Sequence, residues 1–73
     1  GELFAQQIVL QPQHGNLRAQ LFALDAVEKE GINDQGHMIL DVRLQKRDFL
    51  QILSRIGMDA TPFVGKPANP WDS

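Results

Sequence analysis

Gly31-Ile32-Asn33-Asp34-Gln35-Gly36-His37-Met38-Ile39-Leu40-Asp41-Val42-Arg43-Leu44 is the stretch that decides the fold. Asn33-Asp34-Gln35-Gly36 is dense in turn residues. Asn and Asp side chains bond nearby backbone amides, and Gly takes positive φ without strain. Beyond the turn, Met38, Leu40, Val42 and Leu44 alternate with Ile39, Asp41 and Arg43. That period of two marks a strand with one buried face. Such a strand after a turn implies a partner before it. Residues 27–32 supply one, although two Glu and a Lys are poor strand formers. Asp34-Gln35 and Gln35-Gly36 are both possible turn centres, and both keep the same face of the second strand inward.

Upstream, residues 5–10 read as a strand, with β-branched Ile8 and Val9, ending at Pro12. Residues 11–15 hold Pro12 and Gly15 and read as a loop. Asn16 is then a helix N-cap, its side chain placed to accept from the first free amides. Leu17, Leu21 and Leu24 recur at i, i+4, i+7, one stripe of a helix that ends near Asp25 or Ala26. Downstream, residues 46–56 present Phe49, Leu50, Ile52, Leu53 and Ile56 on a second helix, and Gly57 stands where a left-handed C-terminal cap belongs. Residues 58–73 lose all periodicity among Pro62, Gly65, Pro67 and Pro70. They read as a Pro-rich mobile tail, with Phe63 or Trp71 to pin it, leaving residues 1–57 as the domain.

The order strand, helix, strand, strand, helix admits few topologies, because crossovers are right-handed and connections short. The expected fold is α+β: a ferredoxin-like split β-α-β without its last strand. Strands one and two run parallel. The third, the most apolar, lies between them and antiparallel to both, in the order 1-3-2. Both helices cover the face bearing Met38, Leu40, Val42 and Leu44. Ile39, Asp41 and Arg43, with Glu28 and Glu30, take the open face.

Composition narrows the function classes. The chain has 73 residues, 42% of them hydrophobic and 22% charged, with a net charge of −2. That is one small globular domain, neither collagen-like nor a highly charged disordered chain. Without cysteine there is no disulfide framework and no thiolate zinc site. Strictly apolar runs such as Ile8-Val9-Leu10 and Leu21-Phe22-Ala23-Leu24 are at most four residues long and cannot span a membrane. The start, Gly1-Glu2-Leu3-Phe4, lacks a basic n-region and an initiator Met, and reads as a trimmed or excised domain.

Catalytic and cofactor motifs find little support. Val64-Gly65-Lys66-Pro67 contains a Gly-Lys pair, but a phosphate loop needs glycine where Ala60 stands and Ser or Thr where Pro67 stands. His14 and His37 show no metal-ligand spacing and read as exposed polar residues. Glu28 and Glu30 on one strand face could do acid–base work only in a pocket that splits their pKa values. On a wet face they read instead as a cross-strand cluster with Arg43. Neither catalytic nor metal nor cofactor residues are assigned.

Binding is better supported. Lys46 and Arg47 open the second helix against its dipole, with only Asp48 to offset them. Arg47, Gln51 and Arg55 then form a polar stripe at i, i+4, i+8. With Arg43 nearby, this end is a candidate to meet RNA phosphates or an acidic protein; a merely solvated helix face is the plainer alternative. Phe22 lies off the apolar stripe, beside Arg18 and Asp25. It either packs between the helices or, with Arg18, contacts a partner.

Residues 9–53 carry a resemblance. Pro12-Gln13-His14-Gly15-Asn16-Leu17-Arg18 followed by Leu21, then Ala26-Val27-Glu28-Lys29-Glu30, then Gly36 leading into Leu40-Asp41-Val42-Arg43-Leu44 resemble, in order and spacing, the C-terminal domain of HflX-type GTPases. Gln45 departs from the family, which often has Pro there. The resemblance implies a ferredoxin-like accessory domain of a cytoplasmic translational GTPase. Such proteins bind the large ribosomal subunit and separate stalled ribosomes, notably under heat stress. It also implies that GTP and magnesium are held by a separate P-loop domain, and that this domain docks on that GTPase domain and on rRNA and ribosomal protein near the stalk base, with no DNA partner. It assigns no catalytic residue here. The competing expectations are a ferredoxin-like regulatory module that senses a small metabolite, and a protein-interaction domain without RNA contact.

Overall fold

The computed structural model describes residues 1–66. Its centre is β3 (Met38–Gln45), flanked by β1 (Leu3–Leu10) and β2 (Val27–Ile32) in one three-stranded sheet of order β1-β3-β2. Both neighbours run antiparallel to β3, so β1 and β2 are parallel to each other. This is the expected split β-α-β arrangement. The alternation on β3 explains the choice of centre: Leu40 and Val42 are buried, and Met38 and Leu44 pack against the same core. A central position buries such a strand best.

The turn is centred on Asp34-Gln35. The Gly36 amide donates to the Asn33 carbonyl at 3.0 Å, and the Asn33 side-chain oxygen accepts from the amides of Gln35 and His37. Gly36 follows at φ 78°, the left-handed conformation only glycine holds without strain. Pairing between β2 and β3 slips between Val27 and Lys29. The extra residue, Glu28, forms a β-bulge.

A short 3₁₀ turn (Pro12–His14) leads directly into α1 (Gly15–Ala23). The expected loop is thus already helical, and Asn16 lies inside the helix instead of capping it; its side chain accepts from the Leu17 amide at 2.8 Å. Pro12 accounts for the shift, since its fixed φ and missing amide suit a first helical position. The C-terminal end also falls short of expectation. Asp25 adopts φ 56°, and the Ala26 amide donates back to the Leu21 carbonyl at 3.0 Å, the left-handed closure that ends a helix. Leu24 therefore points outward, 54% exposed, while Ala26 beyond the reversal enters the core.

β3 runs into α2 (Lys46–Ile56) with no intervening residue. Gly57 closes α2 at φ 77°, and the Met58 amide donates to the Leu53 carbonyl at 2.8 Å. The helix bounds and the glycine cap were expected; the strand was expected to stop one residue earlier, at Leu44. Phe49 lies at the middle of the core, stacked on Phe4 with ring centroids 4.1 Å apart. Phe63 meets its other side edge-on at 5.5 Å. Phe63 belongs to α3 (Thr61–Val64), and Met58, Ala60 and Val64 also pack against the core. The core thus extends beyond Gly57, where sequence periodicity ends. Pro67, Pro70 and Trp71 lie outside the described residues. No helix among the described residues is long and apolar enough to cross a membrane.

Candidate functional site

Three surfaces stand out, and the expected contact residues lie on the first two of them, apart from Arg43 on the open sheet face. Arg18 and Phe22 share α1, four residues apart and therefore on one side of it. The Arg18 guanidinium lies over the Phe22 ring, 4.4 Å from its centroid. The same guanidinium donates to both carboxylate oxygens of Glu30 at 2.8–3.0 Å. Phe22 is not part of the core; the residue is 42% exposed, with its ring roofed by Arg18.

That ion pair corrects the expected Glu28–Glu30–Arg43 cluster. Strand side chains alternate faces, and a one-residue bulge reverses the alternation beyond it. Val27 pairs with inward-facing Val42; after the slip, Lys29 pairs with Asp41 and Glu30 with inward-facing Leu40. Glu30 is therefore carried to the helix side, where α1 presents Arg18. Arg43, paired with Ala5, stays on the open face, where Gln7 donates to Asp41 at 3.1 Å.

The second surface is the outer side of α2. Arg47, Gln51 and Arg55 are all exposed there, as their spacing predicts. Lys46 is drawn aside by Glu2 at 3.4 Å, and Arg47 reaches Asp48 only at 4.0 Å. The expected single basic end is not assembled: Arg43 lies across the sheet from α2. What remains is a stripe with a cation at each end and an amide between.

The third surface was not expected. Beside the outer edge of β1 runs an open groove of about 660 Å³, walled by β1 from Gln6 to Val9 and by Met58, Pro62 and Phe63. The Gln6 side-chain amide donates to the Phe63 carbonyl at 3.1 Å and fixes that wall. At its far end the Asp59 carboxylate accepts from the Thr61 amide at 2.9 Å. This bond and the Thr61 hydroxyl hold Asp59 below the ordinary carboxylate range. Two sequence signals were available: residues 3–10 carry no charge, proline or glycine, and Phe63 is a large aromatic in an otherwise aperiodic stretch.

Among the described residues, no group of three His, Asp or Glu side chains is placed to hold a metal ion. His14 lines the groove and His37 follows the turn. No family model, curated protein or solved structure gives a significant match to the chain.

Proposed function

We propose that this chain is the C-terminal docking domain of an HflX-type translational GTPase, holding that protein against the large ribosomal subunit near the stalk base in the cytoplasm. GTP and magnesium would be handled by a P-loop domain outside these residues. What supports the reading is the split β-α-β architecture, the arrangement that the sequence resemblance implies. The resembling blocks occupy coherent places on it. The first forms the 3₁₀ turn and the opening of α1, the second runs through the bulge of β2, and the third is the turn and β3.

The stripe of Arg47, Gln51 and Arg55 is the surface assigned to rRNA phosphate or acidic protein, because it is exposed, regular and cationic. Lys46 and Arg43 are secondary, one engaged by Glu2 and the other on the opposite sheet face. Arg18 with Phe22 is assigned to a protein contact, since a guanidinium roofing an aromatic ring presents a flat, amphipathic surface. The test is co-sedimentation of the full GTPase with large ribosomal subunits across a salt titration. Arg47→Glu with Arg55→Glu should weaken binding roughly tenfold or more and flatten its salt dependence. Unchanged affinity at every salt concentration would overturn the assignment of α2.

A further inference from the structure

We propose that the outer edge of β1, unpaired among the described residues, accepts an extended, uncharged polypeptide segment as a fourth strand, with apolar side chains at alternate positions. The proposal is independent of the ribosomal reading.

The two edges of the sheet are built differently. Edge strands present unpaired amides and carbonyls, and folded proteins blunt them with charge, proline, glycine, bulges or shortness. β2 uses several of these devices: Glu28, Lys29 and Glu30 along six residues, a bulge at Glu28, and Gly31. β1 has eight residues, Leu-Phe-Ala-Gln-Gln-Ile-Val-Leu, and none of these devices.

The backbone on that edge can be assigned by parity. In an antiparallel pair each residue points its amide and carbonyl to the same side, and the side alternates. The Glu2 carbonyl accepts from the Lys46 amide at 2.7 Å, so even-numbered β1 residues face β3. The Arg43 amide donates to the Ala26 carbonyl at 2.8 Å, so odd-numbered β3 residues face β2, which agrees. Leu3, Ala5, Gln7 and Val9 therefore direct their backbone groups outward, and among the described residues no backbone partner meets them. Only another extended chain repeats donors and acceptors at that spacing.

The groove supplies the second half of the recognition. Met58, Pro62 and Phe63 lie below the edge, on the helix side. A strand laid along Ala5–Val9 would place every second side chain on that apolar wall, with the others beside Val9, itself 51% exposed. The absence of charge on β1 matches an uncharged segment. A second copy of this chain is the poorer occupant. Two β1 strands paired about their middle would bring α3 of both copies beneath the same edge, since α3 is tied to Gln6.

The experiment uses the 73-residue chain and a capped, alternating valine–threonine octapeptide as probe. Titration followed by amide NMR should move the resonances of Leu3, Ala5, Gln7 and Val9. The same peptide N-methylated at alternate residues, which loses its ladder donors, should bind roughly tenfold more weakly or worse. Gln7→Pro removes an outward amide and leaves the β1–β3 ladder intact, so far-UV circular dichroism should be unchanged while binding is lost. Val9→Lys, which charges the edge, gives the same result by a different route. The proposal is overturned by equal binding of both peptides, by shifts confined to β2 or α2, by no shift at millimolar peptide, or by β1 amides protected in a dimer of the free chain.

Discussion

Glu30 holds the Arg18 guanidinium with both carboxylate oxygens, although the two residues belong to a strand and a helix that the sequence separates by twelve positions. The bulge at Glu28 makes the contact possible by turning Glu30 toward α1. Both side chains are substantially exposed, 39% and 45%, so solvent screens the pair. Arg18→Ala and Glu30→Ala should each cost less than about 1 kcal/mol in urea unfolding, and a double-mutant cycle should give a coupling of similar size that shrinks in high salt. A coupling of several kcal/mol would mean that the pair is far better desolvated than its exposure implies.

Phe49, packed between Phe4 and Phe63, should be the most damaging core position. Phe49→Ala loses about 3–5 kcal/mol, comparable to the whole stability that a core of this size supplies. That variant should lack a cooperative thermal transition by circular dichroism. Phe63→Ala removes only the edge-on partner, half-buried on α3. It should lower the urea midpoint while retaining a cooperative transition.

Two helices end through left-handed residues of different kinds, Asp25 at φ 56° and Gly57 at φ 77°. A Cβ costs about 1 kcal/mol in that conformation. Asp25→Gly should therefore raise the melting temperature and Gly57→Ala should lower it. Space is not the reason at Gly57, because an added Cβ would meet nothing within 4 Å. Opposite shifts in differential scanning calorimetry would confirm that backbone conformation alone is responsible.

The Asp59 carboxylate is lowered by its bonds to the Thr61 amide and hydroxyl. Its folded pKa lies below its unfolded one, so the charged form favours the folded state. The contribution is complete above the unfolded value, near 4, and is lost as pH falls through the folded value. Protection factors of the Phe63 and Val64 amides, taken relative to intrinsic exchange at each pH, should fall below that range. In Asp59→Ala they should be lower already at neutral pH, and the further fall on acidification should disappear.

Much of the fold was legible because it rests on local patterns. The alternation from Met38 to Leu44, the turn residues before it and Gly57 after α2 each report on a few neighbours, and each was realised. Three of the misreadings involve a break in periodicity. Leu24 continues the stripe of Leu17 and Leu21 on paper, but the helix ends at Ala23 and the chain reverses at Asp25. Glu30 shares parity with Glu28 until one residue bulges. Phe63 has no periodic context, and its place is set by a gap beside Phe49 that only the assembled core defines. The contact residues were legible singly, as exposed cations, but not as a group, since the sheet separates Arg43 from α2.

The seamless passage from β3 into α2 has a mechanical consequence. With no loop between Gln45 and Lys46, and with the Lys46 amide bound to the Glu2 carbonyl, the joint has no slack. A load applied at Arg47 or Arg55 enters the middle strand as torque and reaches both outer strands through their ladders. The domain would respond as a stiff lever pivoting on whatever grips it, so that a push at the helix tilts the entire sheet.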